Sequence, residues 1–104
     1  MSEDEKHLTF DEIKDKKPKR LGFEVGYDGQ NYVVAVDEEK AFALTTGAYY
    51  IWTICDGART VEQMIEFVSE ELSKNPETAM SADELKEPIT VILEQLEKAG
   101  LVEL

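Results

Sequence analysis

From Leu21 the chain alternates. Leu21, Phe23, Val25 and Tyr27 are separated by Gly22, Glu24 and Gly26, a period of two that predicts a strand with one apolar face. Asp28-Gly29-Gln30-Asn31 carries turn chemistry, with Gly29 free to take a positive φ. Tyr32-Val33-Val34-Ala35-Val36 is apolar on both faces and rich in β-branched residues, as the middle strand of a small sheet should be. Asp37-Glu38-Glu39-Lys40 is a polar reversal, and Ala41-Phe42-Ala43-Leu44 is short enough for an edge strand. Neighbours joined by short links usually pair, so these three segments predict an antiparallel meander.

After Leu44 the period changes. Thr45 is a plausible N-cap, and Ala48, Ile51, Trp52 and Cys55 fall at helical spacing on one face. Asp56-Gly57 should stop this first helix, with Gly57 at the left-handed C′ position. Thr60 with Gln63 forms a capping box for a second helix, whose stripe is Val61, Met64, Ile65, Val68 and Leu72 and which Asn75-Pro76 should end. Ser81 with Glu84 opens a third, with Leu85, Ile89, Ile92, Leu93 and Leu96 inward and Gly100 closing it. Pro88 lies well inside this helix and predicts a kink or a restart. Strands followed by helices make an α+β fold: a three-stranded antiparallel β-meander and then a three-helix bundle.

Residues 1–20 break from this pattern. They hold six acids and six bases, few apolar residues and Pro18, and are read as a flexible charged arm, leaving 21–104 as the folded domain. Lys14, Lys16, Lys17, Lys19 and Arg20 form the one dense basic run, and the body carries the whole net charge of −12. That acidity opposes binding nucleic acid through a broad basic surface. Cys55 is the single cysteine, so no intramolecular disulfide can form. The acidic start, Met1-Ser2-Glu3-Asp4-Glu5, is unlike a signal peptide. The longest nearly uncharged stretch, Ala41–Cys55, is too short to span a bilayer. A cytoplasmic protein is expected, with no membrane partner.

Little in the sequence carries catalysis. His7 is the only histidine and lies in the arm without partners. Cys55 falls on an inner helical face, where a thiol is packing material rather than a nucleophile. Glu62, Glu66, Glu70 and Glu71, like Glu84, Glu87, Glu94 and Glu97, repeat as the wet faces of helices. No glycine-rich phosphate loop or nucleophile elbow is present. Neither an enzyme nor a metal or cofactor site is therefore expected. A small sheet with three helices is also the parts list of a winged helix, but its reading helix would be the third, which carries five acids against Lys86 and Lys98.

The two sheet edges are unlike. Glu24 stands in the middle of the first strand and is read as facing outward, a guard against strand addition. The third strand has no internal charge, and its off-core side chains, Ala41 and Ala43, are small. An extended peptide could add there through main-chain hydrogen bonds, its side chains settling against the third helix.

The run Leu44-Thr45-Thr46-Gly47-Ala48, then Ile51-Trp52, then Cys55-Asp56-Gly57-Ala58-Arg59-Thr60-Val61, with Leu96 and Gly100-Leu101-Val102 at the end, resembles the PqqD-like family. The resemblance covers about residues 21–104. It implies a winged-helix-like domain that recognises precursor peptides of ribosomally made, post-translationally modified products. Such a domain binds the precursor's leader as an added strand and presents it to a modifying enzyme, typically a radical S-adenosylmethionine enzyme, as in pyrroloquinoline quinone-type biosynthesis. Carried onto this sequence, the docking strand is Lys40, Ala41, Phe42, Ala43 and Leu44, and the groove wall is the helix with Leu85, Ile89 and Leu93. Leu44, Ile51, Asp56, Gly57 and Arg59 are read as fold-specifying, with Arg59 either bonding carbonyls at the first helix's end or pairing with Asp56. Two other readings stay open, a winged-helix DNA-binding regulator and a permanently docked accessory subunit of an enzyme. An open edge can also pair with its own copy, giving a homodimer.

Overall fold

Six of the nine regular elements, three strands and three helices, follow from local pattern; the other three and the way all of them join do not. The computed structural model describes residues 8–104. Their order is α1 (Phe10–Ile13), β1 (Lys19–Arg20), β2 (Phe23–Tyr27), β3 (Tyr32–Ala35), β4 (Ala41–Leu44), α2 (Thr46–Thr53), α3 (Val61–Leu72), α4 (Ala82–Lys98) and β5 (Val102–Glu103). Strands β2, β3 and β4 form the expected antiparallel meander with β3 in the middle, and β1 pairs with β5 in a separate two-stranded ribbon. The three long helices follow the meander, so the α+β reading holds.

The capping signals work as the sequence suggests. Thr45 Oγ1 accepts from Ala48 N–H, and both Thr60–Gln63 and Ser81–Glu84 close as reciprocal capping boxes. At the other end of α4, Gly100 has φ +82°. Its N–H bonds Glu97 O while Leu101 N–H bonds Leu96 O, a Schellman closure. The helices bury Ile51 and Trp52, then Val61, Met64, Ile65 and Val68, then Leu85, Ile89, Leu93 and Leu96. Pro88 neither breaks nor restarts α4, which runs through it.

Residues 8–20 differ from the expected arm. Ile13 and Pro18 are buried, and the backbone is bonded along much of its length. Val61 N–H donates to Lys16 O and Glu62 N–H to Lys14 O, satisfying two of the orphan amides at the start of α3. Arg20 N–H donates to Cys55 O, and Gly57 N–H donates to Pro18 O. Lys16, Lys17 and Lys19 are exposed to water, but the main chain of this stretch is a partner for the rest of the fold, and composition reports only the first. His7 lies outside the described residues, with the rest of 1–7.

Two expectations about β2 also change. The register shifts between Glu24 and Gly26, a bulge at Val25, so Phe23 and Tyr27 fall on opposite faces instead of sharing one. Glu24 faces Val34, which is fully buried, and therefore lies on the core side of the sheet rather than outward. There a hydrogen bond from the Tyr49 hydroxyl to Glu24, with desolvation behind it, raises the Tyr49 pKa above the usual phenol value. Tyr49 stacks on Tyr32 with ring centroids 4.0 Å apart, and Tyr32 meets Tyr27.

Candidate functional site

The edge strand begins from a fixed turn. Asp37 Oδ1 accepts from the N–H groups of Glu39 (2.8 Å) and Lys40 (2.9 Å), and Val36 N–H donates to Lys40 O. That last bond sets the phase of the ladder. In register, Val34 faces Phe42 and Tyr32 faces Leu44, while Ala35 faces Ala41 and Val33 faces Ala43. Antiparallel ladders alternate, so Lys40, Phe42 and Leu44 spend their main-chain groups on β3. The N–H and C=O groups of Ala41 and Ala43 therefore point away from the sheet, along its open edge.

The side chains follow the same alternation. Phe42 and Leu44 lie on the core face, Ala41 and Ala43 on the outer face. Leu44 is buried, but Phe42 keeps 37% of its surface exposed, because the core face ends at this edge. Ala41, Ala43 and Lys40 are exposed. Leu85, Ile89 and Leu93 are not exposed beside the strand. They belong to the same buried cluster as Leu44 and Ile51 and pack α4 among the other helices. The structure thus gathers the predicted residues into two sets: an accessible strand, Lys40–Phe42–Ala43 with Ala41, and a core that supports it.

The Asp56-Gly57 turn is built from different contacts than expected. Helix α2 ends with Ile54 as its C-cap, so Gly57 is not the helix's C′ residue. Instead Asp56 Oδ1 accepts from Ala58 N–H (2.9 Å) and Arg59 N–H (3.3 Å), bonds that hold its carboxyl below the usual carboxylate range. Gly57 sits at φ +78° within that turn. An added Cβ would be 3.5 Å from Lys19 Cβ, ordinary contact, so the cost of Gly57→Ala is conformational. About 1–2 kcal/mol of stability should be lost, read as a lower urea midpoint. Arg59 pairs with Asp56 at 3.6 Å and lies 4.4 Å from the Phe67 ring centroid. The carbonyl at the end of α2 is taken by Arg20, whose Nη1 donates to Thr53 O at 2.9 Å.

Cys55 is fully buried, and its thiol donates to Ile51 O at 3.1 Å. Burial pushes its pKa up to about 12. The folded state therefore holds the proton more tightly than the unfolded chain. Its stabilising effect is complete below the unfolded value and fades as pH rises from about 9 toward 12. A colourless thiol in an Ellman assay at pH 8, turning fully reactive only in denaturant, is the expected result.

Sequence reasoning missed a cavity of about 630 Å³ between residues 8–10 and the outer face of α4. Its floor holds Thr90 and Glu94, and Glu94 Oε2 accepts from Leu8 N–H and pairs with Lys98 at 3.5 Å. The lone Leu8 and Phe10 in a charged stretch were the only signal for it. Among the described residues no helix is long and apolar enough to cross a membrane, and no three His, Cys, Asp or Glu side chains could hold a metal ion.

Residues 32–102 match the family described as Coenzyme PQQ synthesis protein D (PqqD). The chain belongs to the PqqD family. The matched stretch begins at Tyr32, the first residue of β3, and takes in β4, the Asp56-Gly57 turn and all three long helices. No curated protein and no solved structure matches the chain. Strands β1 and β2 and the bonded stretch 8–20 precede the PqqD match.

Proposed function

We propose that this PqqD-family chain is a non-catalytic peptide chaperone of the cytoplasm. It binds the leader of a ribosomally made precursor by strand addition at Lys40–Leu44 and presents the precursor to a radical S-adenosylmethionine enzyme, in a pathway of the pyrroloquinoline quinone type. The observation that carries the reading is the phase of β4: its uncharged edge turns the amides and carbonyls of Ala41 and Ala43 outward, under side chains too small to obstruct a second backbone. Those two residues offer four main-chain hydrogen bonds, each contributing about 0.5–1.5 kcal/mol net. Association costs at least about 4 kcal/mol of lost freedom, so the ladder alone gives weak binding. Apolar leader side chains covering Phe42 supply the remainder, and Leu85, Ile89 and Leu93 belong to the buried core that supports the strand.

The test is an amide-shift titration of the labelled chain with a synthetic candidate leader peptide. The largest changes are expected at Ala41, Phe42 and Ala43. Changes confined to β2, or to the cavity between Leu8 and α4, would place the peptide elsewhere.

A further inference from the structure

We infer that, when no peptide is bound, the β4 edge is occupied by β4 of a second copy of this chain, so that peptide and partner copy compete for one strand. The competition rests on the peptide reading above; the self-pairing does not.

The argument begins with the contrast between the two edges of the meander. The β2 edge is interrupted by the bulge at Val25, which breaks the regular spacing that an added strand needs. The β4 edge is regular over its whole length, Ala41–Leu44. Only one two-fold register uses every outward group of that edge. With Phe42 opposite Phe42 of the second copy, Ala41 faces Ala43 and Ala43 faces Ala41. All the outward N–H and C=O groups of both strands are then paired in closed hydrogen-bonded rings. Phe42 meets its twin as the non-hydrogen-bonded pair, the closer kind, on the core face of both sheets. The ring that one copy leaves 37% exposed is thereby covered.

Charge fits the same register. Lys40 comes beside Leu44 and not beside another lysine. Glu39 and Glu38 of one copy come alongside Thr45 and Thr46 of the other, where α2 begins. That helix has no acid in its first turn, whereas α3 has Glu62 and α4 has Asp83 and Glu84. The second copy brings carboxylates to the one long helix whose own first turn holds no acid. The acidic turns of the two copies lie at opposite ends of the joint, so they do not face one another.

A cross-linking experiment reads the register directly. Opposed residues of a non-hydrogen-bonded pair are about 4.5 Å apart at Cα, within disulfide range. Full-length Phe42→Cys under mild oxidation should give a covalent dimer at least tenfold faster than Val25→Cys, placed on the other edge at an exposed position. Native Cys55 is buried and does not interfere. A synthetic peptide of residues 38–46 should slow the reaction. In sedimentation equilibrium the unaltered chain should rise from 11.8 kDa toward twice that mass. The Glu38→Lys, Glu39→Lys double variant should weaken the association at least fivefold. Equal cross-linking at positions 42 and 25, or a mass fixed at 11.8 kDa at millimolar concentration, overturns self-pairing. If the monomeric chain still shifts at Ala41 and Ala43 with the precursor, the peptide reading survives that failure. If instead the dimer forms and saturating precursor leaves it intact, competition is overturned and the peptide belongs on another surface.

Discussion

Ala43→Pro is expected to lower affinity for the precursor by at least about tenfold while the chain still unfolds in one cooperative transition. Ala43 turns its N–H toward the open edge, so the proline deletes a donor that β3 never uses. Edge strands tolerate proline on their solvent side for this reason. The ring also stands where an incoming carbonyl would approach. One main-chain bond lost outright and a second distorted, at about 0.5–1.5 kcal/mol each, reach the 1.4 kcal/mol of a tenfold change. Phe42→Pro is the matched contrast. Its N–H lies on the β3 side of the ladder, facing Val34, and its loss should lower the urea midpoint as well. Isothermal titration paired with urea unfolding separates the two variants. Undiminished binding by Ala43→Pro would remove the peptide from this edge.

Trp52→Ala should be the most damaging single truncation, about 3–5 kcal/mol. A domain of this size has only about 5–15 kcal/mol in total. The loss is more than volume. Trp52 is buried, and its indole N–H is shared between Leu21 O and Leu101 O, each at 3.1 Å. Leu21 N–H in turn donates to Leu101 O. One side chain of α2 thus fastens the residue after β1 to the residue before β5. Trp52→Phe should cost less, keeping most of the packing and losing the shared donor. Because Trp52 is the only tryptophan, circular dichroism and not fluorescence must follow the transition.

Local patterns carried far in this chain because most of its elements are specified by neighbours in sequence. Thr60 with Gln63 and Ser81 with Glu84 cap as read, and the stripes Val61–Met64–Ile65–Val68 and Leu85–Ile89–Leu93–Leu96 are the buried faces of α3 and α4. The edge strand was also legible, since Ala41–Leu44 lacks charge. What escaped was non-local. Alternation from Leu21 to Tyr27 counts residues, and the bulge at Val25 inserts one, which sends Glu24 inward and separates Phe23 from Tyr27. The family resemblance made the third helix a groove wall, while its pattern put Leu85, Ile89 and Leu93 inward, and there they lie, buried in the common core. Arg59 could bond a carbonyl or Asp56. Arg20, thirty-three positions before Thr53, took the carbonyl, and no sequence window spans that distance.

The carbonyls of Lys14 and Lys16 that bond the first amides of α3 have a consequence for where this protein can be cut. Family resemblance begins at Tyr32, and a boundary drawn there, or at Leu21, would look safe. Trimming to either point would strip α3 of its N-terminal acceptors, bare Cys55 O and Gly57 N–H, and take from β5 its partner strand β1. The matched stretch and the folding unit have different starting points. Swapping this domain between pathways, or fusing it to an enzyme, means carrying the lysine-rich stretch along as part of its architecture.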